Sequence, residues 1–350
     1  MRFVNYAIKV FVSITFLLLL LGVSMLFYGF SEIAFAPYFS VADSDVASIV
    51  TSAPPVEPSA PGSPDVTVLP EVTEQPIVSE PPASLPPPTD PEIEGYFRVN
   101  MEPIDIQRGS LILIDAENRY EILEENDLIP IADYKTSSYR VASNDLLLSK
   151  SIIDPLNKMM DDFHAKTGNE NTAIVSAFRG YDRQQEILNE YVSLVGRAEA
   201  TRWAALPGHS EHHTGLAVDL GVYSAGSYRT FMGKDTYEWI YKNAHLYGFI
   251  LRYPQEKTEI TKTIYEPWHY RYVGEPHAYI IYKNDLCLEE YMELIKEHTH
   301  DDPYIAAIGD DEYEIYFTRD SKLLLPDGCE YNISGNNIDG FIVTLQYPTS

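Results

Sequence analysis

Residues 42–91 run through stretches such as SAPPVEPSAPGSPDV and SEPPASLPPPTDPE without a single aromatic side chain. Proline lacks an amide proton and fixes its φ, so this composition denies the segment both sheet ladders and helices. With little apolar surface to bury, it reads as an extended, partly polyproline II spacer. Fully stretched, some fifty residues at about 3.1 Å each reach on the order of 150 Å. Pro-rich runs also serve as peptide ligands, but the segment that precedes this one makes a spacer the better reading. A packed fold must be built from the chain that follows, from about Gly95 onward.

The preceding segment has the opposite character. Arg2 and Lys9 stand before residues 10–31, VFVSITFLLLLLGVSMLFYGFS, which carry no charge. At about 1.5 Å of rise per residue, such a helix spans the roughly 30 Å hydrocarbon core. Glu32, Asp43 and Asp45 follow it. The positive-inside rule places the N-terminus in the cytoplasm and the rest outside a cell membrane crossed once. The rival reading is a cleaved signal peptide with an Ala34-Phe35-Ala36 site, for which Pro37 is a poor context. Both readings export the remainder. The expected organisation is a cytoplasmic N-terminus and anchor over 1–35, a linker over 36–94, a folded domain over 95–300 and a β-rich appendage over 301–350.

Within 95–300 the periodicities alternate. RGSLILIDAENRYEI has the alternation and turn residues of a hairpin. Residues 149–167, with Ile152, Ile153, Leu156, Met159, Met160 and Phe163 at helical spacing, predict a helix stopped by Gly168. AIVSAF predicts a short buried strand; residues 182–194, 237–247 and 288–298 predict helices; GFILRYP and YEPWHYRYVG predict aromatic-rich strands. Strands and helices at irregular spacing indicate an α+β fold. After residue 300, YEIYFTRD, KLLLP and FIVTLQY predict further strands. The formal charge of -27, from 25 Lys+Arg against 52 Asp+Glu, argues against nucleic acid, whose binding rests on cationic contacts to phosphate. Cys287 and Cys329 are the only cysteines: too few for a Cys-based structural zinc site, enough for one disulfide. Nothing in the sequence fixes the oligomeric state.

The stretch PGHSEHHTGLAVDL sets His209, His212 and His213 within five residues and follows them with Asp219. A catalytic zinc site takes three protein ligands from His, Asp or Glu and keeps a fourth position open. His212 and Asp219 are the natural pair. Seven residues apart, they would face opposite sides of a regular strand, but Thr214-Gly215 lets the chain turn between them. A second cluster, Glu266-Pro267-Trp268-His269, offers one ligand, His269, and a carboxylate, Glu266, suited to act as a base. Pro267 disfavours the helical arrangement of two histidines around a glutamate.

These residues carry a family resemblance. SEHHTGLAVD matches the SxHxxGxAxD signature of VanY-type D-alanyl-D-alanine carboxypeptidases of the M15 metallopeptidase family, and EPWH matches their second signature. SAFRGYDRQ resembles their SGYRSYxxQ segment, and the order and spacing of the three blocks agree. The resemblance covers roughly residues 95–300. It implies a Hedgehog/DD-peptidase-like fold, a small antiparallel sheet flanked by helices, holding one Zn²⁺ through His212, Asp219 and His269. It further implies Glu266 as catalytic base and Arg179 as the group steadying substrate or developing oxyanion. The implied substrates are peptidoglycan stem peptides, cut by D,D-carboxypeptidase action, with L,D-carboxypeptidase, endopeptidase or non-catalytic wall-binding roles as alternatives on the same scaffold. This chain departs in Ala177-Phe178 for Gly-Tyr, Gly180 for Ser, and His213 where relatives carry Gln.

Gln184, Ser210 and Tyr253 are expected at the substrate. His164, His245, His277, His298 and His300 read as surface or satisfied core groups, and His209 and His213 as neighbours of the site. Glu211, beside a ligand, reads as a solvated carboxylate. Trp268, Tyr270 and Tyr272 read as packing.

Overall fold

The computed structural model describes residues 93–121 and 127–347. The expected anchor and nearly all of the linker lie outside them, and no helix among the described residues is long and apolar enough to cross a membrane.

The folded chain opens with β1 (Tyr96–Asn100) and a 3-10 turn at Pro103–Gln107. Residues 108–121 do not form the expected hairpin; they run as an irregular arm without strands. The reason lies in Leu111, Ile112, Leu113 and Ile114, all of which are buried. A two-stranded ribbon needs one wet face, and a continuous apolar run has none to offer. The arm's polar backbone groups find partners elsewhere. Leu111 N–H donates to Ser334 Oγ at 2.9 Å and Leu113 N–H to the Asn336 carbonyl at 3.2 Å, while Arg271 donates to the carbonyls of Ser110 and Ile112 at 3.0 and 2.9 Å.

Short strands β2 (Leu128–Pro130), β3 (Arg140–Val141) and β4 (Leu147–Ser149) lead into α1 (Ile153–Thr167). Ile153, Leu156, Met159, Met160 and Phe163 form its buried stripe, each burial worth about 1.5–3 kcal/mol. Gly168, at φ 68°, ends the helix as expected, its N–H capping the His164 carbonyl. Then come β5 (Thr172–Ser176), α2 (Tyr181–Val195), β6 (Ala217–Ser224), β7 (Ser227–Thr230), α3 (Glu238–Asn243), β8 (Phe249–Leu251), β9 (His269–Tyr272), α4 (Glu275–Lys283) and α5 (Leu288–Lys296).

The central sheet has the order β3-β5-β6-β9-β8, with β7 also pairing β6. Its pairs are antiparallel except β3 with β5, which is parallel, so the sheet is mixed at one edge. Side chains alternate between faces along β6 and β9. Leu216, Val218, Leu220 and Tyr270 enter the core that contains the α1 stripe. Asp219, His269 and Arg271, two residues apart on β9 and paired across to β6, fall on the opposite face, which is where the polar site forms.

At the C-terminus, β10 (Tyr304–Ile308), β11 (Asp311–Thr318), β13 (Glu330–Gly335) and β14 (Phe341–Tyr347) form an antiparallel sheet in the order β10-β11-β14-β13. Between them β12 (Lys322–Pro326) pairs antiparallel with β1, matching Tyr96 to Pro326 and Asn100 to Lys322. The first strand thus belongs with the last ones. Phe97, Val99 and Met101 pack with Leu323, Leu325, Tyr316, Val343 and Leu345. A second core joins Leu111 and Leu113 of the arm, Ile250, Val273, and α4 and α5 to Ala306, Tyr313, Ile315, Phe317 and Ile342. A cut between residues 300 and 301 would divide this core, so residues 301–347 are a wall of the body rather than an appendage. His277 sits within the joint as a satisfied core group, bonded to Tyr291 Oη and Thr344 Oγ1. Cys287 and Cys329 are free thiols.

Gly335 marks the tightest point of the joint. A Cβ there would run into the backbone carbonyls of Ile106 and Asp105, where no flexible side chain can give way. Gly335→Ala is expected to destabilise the whole body by about 1–3 kcal/mol, read as a lower midpoint in urea or thermal unfolding.

Candidate metal centre

His212 lies on a 3-10 turn, Glu211–Thr214, that ends at Gly215 in the left-handed region at φ 70°. The turn resolves the parity problem of the sequence, since it swings His212 round before β6 begins. A Cβ at Gly215 would also meet Leu128 Cδ2 at 2.7 Å and the Ser149 nitrogen at 2.9 Å, so both φ and space require glycine. Asp219 follows on β6, directly opposite His269 on β9 and opposite Ser176 on β5. Register therefore supplies two of the expected ligands and the turn supplies the third.

The three donor atoms lie within 4.8 Å of one another, and all three residues are buried. Asp219 Oδ2 is 3.2 Å from His212 Nε2, and Asp219 Oδ1 is 3.0 Å from His269 Nδ1. The imidazoles meet edge to face, with centroids 4.9 Å apart. His212 Nδ1 donates to the Ala177 carbonyl at 2.6 Å, which leaves a lone pair on Nε2. That Nε2 is buried and, despite its closeness to Asp219, has no hydrogen-bond partner among the described residues. A lone pair aimed at a carboxylate is repulsive unless a cation sits between them. Ligand atoms about 2.1 Å from one tetrahedral ion lie about 3.4 Å apart, close to the spacing found here. The donor set fits a divalent metal.

The field of the site also favours a cation. Burial penalises a charge on His269, yet Asp219 and Glu211 together raise its pKa to about 9. His212, with its Nδ1–H committed and Arg179 nearby, is held at about 4, chiefly by burial. Asp219 stays ionised well below the usual carboxylate range because its two histidines outweigh its desolvation.

Glu266 closes the corner next to this set. Its Oε2 is 3.8 Å from His269 Nδ1, and burial, aided by Asp219 and Glu211, lifts its pKa to about 7 against the pull of His269 and Arg179. A carboxyl poised there can take and return a proton near neutrality. Arg179 feels the charges of both Asp219 and Glu266, and its Nε is shut from water without a hydrogen-bond partner among the described residues. Its backbone is pinned on both sides: Arg179 N–H donates to the His212 carbonyl at 3.1 Å, and His213 Nδ1–H donates to the Arg179 carbonyl at 2.6 Å. His213 Nε2 in turn accepts from Gly208 N–H at 3.0 Å, which fixes its tautomer. So both ring nitrogens of His213 are spent on the backbone, one of them pinning Arg179, while His209 turns away to the Asp115 carbonyl.

The three expected substrate groups fall differently. Tyr253 packs at a tilt beside His269, centroids 5.0 Å apart, beneath the Arg252 guanidinium. Ser210 is buried at the start of the 3-10 turn. Gln184 is also buried; its Nε2 donates to the Ala205 carbonyl at 2.8 Å, while its Oε1 has no hydrogen-bond partner among the described residues. A group not foreseen is Tyr191, on the same face of α2 as Gln184 and Leu188. Burial and then the charges of Glu266 and Asp219 raise its phenol, and its ring stacks on Trp203. Helical spacing from Gln184 was the available signal. A cavity of about 650 Å³ lies elsewhere, between the arm, Tyr272, Glu275 and Tyr331, and none of the ligand set lines it.

The largest departure from expectation is Glu211. It is 1% exposed, not solvated, and its carboxylate touches Arg252, Arg271 and His269. Composition gave no hint, because both arginines are remote in sequence.

Residues 145–275 match the family model for VanY, D-alanyl-D-alanine carboxypeptidase. The D-alanyl-D-alanine carboxypeptidase of Enterococcus faecium is 35% identical over 248 residues, spanning 69% of this chain and 76% of that protein. The chain belongs to the VanY family. The D-alanyl-D-alanine carboxypeptidase of Enterococcus faecalis is 37% identical over 204 residues, 55% of this chain and 69% of that one. Among solved structures, the vancomycin-resistance D,D-dipeptidase VanXYg in complex with a D-Ala-D-Ala phosphinate analog aligns with TM-score 0.65 and 30% identity, covering 72% of this chain and 99% of that one. That share exceeds what residues 95–300 can supply, so the likeness to VanXYg runs past the segment matched by the VanY model.

Arg179 lowers the Glu266 pKa, so its loss should raise it. Glu266 can accept a proton only when ionised, so activity falls as pH drops through its pKa. In Arg179→Ala the acid limb of the kcat/KM profile is expected at higher pH than in the wild type, with kcat down by about 10²–10³.

Proposed function

We propose that the chain is a zinc-dependent D,D-carboxypeptidase that removes the terminal D-alanine from peptidoglycan stem peptides. The observation that carries this reading is the convergence of His212, Asp219 and His269 within 4.8 Å, beside a carboxyl raised toward neutrality, in a chain of the VanY family. His212 Nε2, Asp219 and His269 Nδ1 would hold one Zn²⁺ and leave its remaining position open to solvent and substrate. When bound, zinc lowers the pKa of a water from about 15.7 to about 7 and polarises the amide carbonyl.

The chain's own groups do the remaining work. Glu266 receives the proton of the attacking water and delivers it to the leaving amine of D-alanine. The charge that develops on the carbonyl oxygen is met by Arg179, whose Nε is already shut from water without a partner among the described residues and whose charge feels Asp219 and Glu266. Tyr191 and Trp203 on the α2 side and Tyr253 on the other would flank the peptide. The uncharged run at residues 10–31 behind Arg2 and Lys9 supports a single-pass anchor that holds the catalytic body at the outer face of the cell membrane, where its substrate lies.

Purified protein incubated with a stem pentapeptide is expected to release D-alanine, to stop with chelator and to resume with added zinc. Free D-Ala-D-Ala dipeptide, the expected substrate of a D,D-dipeptidase such as VanXYg, provides the contrasting arm; preferential cleavage of the dipeptide would reassign the specificity. Glu266→Gln is expected to keep its zinc, measured by metal analysis, while turnover drops by about 10²–10⁴. Full turnover in that variant would remove Glu266 from the proton path.

A further inference from the structure

Glu211 divides its two oxygens between different duties. Oε1 accepts from Arg252 Nε at 2.7 Å and from Arg271 Nη1 at 2.8 Å; Oε2 faces His269 Nε2 at 3.2 Å. Both arginines are fully buried and are themselves tied down. Arg252 forms a bidentate pair with Glu289, at 2.9 and 2.7 Å, and Arg271 spends its other N–H groups on the carbonyls of Ser110, Ile112 and Tyr272. A carboxylate gripped by two such forks cannot rotate, so Oε2 is presented to the imidazole in one fixed direction.

An ionised carboxylate only accepts hydrogen bonds, so the His269 nitrogen facing it must carry the proton. In the neutral ring that a metal requires, the lone pair is then left on Nδ1, the nitrogen that faces Asp219 Oδ1 at 3.0 Å and the rest of the donor set. We propose that Glu211 is the positioning residue of the metal centre: it holds His269 as the Nε2–H tautomer with Nδ1 turned to the ion. This rests on reading His212, Asp219 and His269 as metal ligands. Glu211 itself touches neither ion nor substrate.

The alternative is that Glu211 serves only to neutralise two buried arginines, and substitution separates the two. In Glu211→Gln the amide oxygen must face Arg252 and Arg271, which can only donate. The amide N–H then points at His269 Nε2 and requires a lone pair there, which moves the ring proton to Nδ1 and blocks the ligand atom. Zinc affinity, measured by chelator competition, is expected to fall about 10–100-fold. Glu289→Gln disturbs the same arginine without touching His269, and is expected to lower the melting temperature while zinc affinity stays within about twofold of the wild type. Equal loss of affinity in both variants, or unchanged affinity in Glu211→Gln, would overturn the proposal. Nitrogen-15 NMR of the zinc-loaded wild-type protein needs no substitution: a protonated Nε2 on His269 supports the assignment, and a protonated Nδ1 overturns it. A wild-type protein that takes up no zinc would instead remove the ligand set on which the proposal stands.

Discussion

The pairing of Asp219 with His269 across adjacent antiparallel strands is the contact on which the site depends. Directly opposed residues hold their Cβ atoms about 4.5–5.5 Å apart, a distance set by the ladder and not by side-chain choice. A slip of one residue would send Asp219 into the apolar core and bring Val218 or Leu220 to the polar face. The apolar side chains packed against α1 therefore do more than stabilise the sheet. By fixing which face of β6 and β9 is buried in oil, they fix which face offers ligands. His212 is then delivered by a turn that only glycine at 215 permits.

The polar face carries an unusual concentration of buried charge. Glu211, Arg252, Arg271 and Glu289 form a chain of alternating charge, in which Glu211 bridges the two arginines and Arg252 bridges the two glutamates. Burial raises the cost of ionising Glu211, but the two guanidiniums more than offset it and hold the carboxyl far below its ordinary pKa. Breaking such a cluster at one member costs about 3–5 kcal/mol, because the partner is left charged and dry. Through Arg271 the same cluster reaches the backbone of the arm, which the C-terminal strands grip from its other side. The ligand geometry and the seating of the C-terminal sheet thus share one set of contacts.

Much of this was legible in the sequence, and the parts that were share a cause. The helical stripe from Ile153 to Phe163, its glycine stop and the strand AIVSAF are local patterns, and these survived folding. The convergence of His212, Asp219 and His269 was readable because the signatures pair rare residue types at fixed spacing, and Glu266 came with its neighbour His269. What escaped notice depends on contacts between distant segments. Glu211 looked solvated because its two arginines are 41 and 60 positions away. The arm looked like a hairpin because alternation scores ignore that Leu111 to Ile114 are all buried. Residues 301–347 looked like an appendage because nothing local announces that β12 pairs with β1.

That last pairing decides how the body meets mechanical load. Whatever precedes residue 93 is joined to the folded body through β1, and β1 is held by five matched residues of β12 together with the packing of Phe97 and Val99. Tension arriving from the N-terminal side would strain that ladder first. The strands carrying Asp219 and His269 belong to a different sheet, separated from β1 by the arm and its own anchorage. Such a pull would be absorbed before it reached Asp219 and His269.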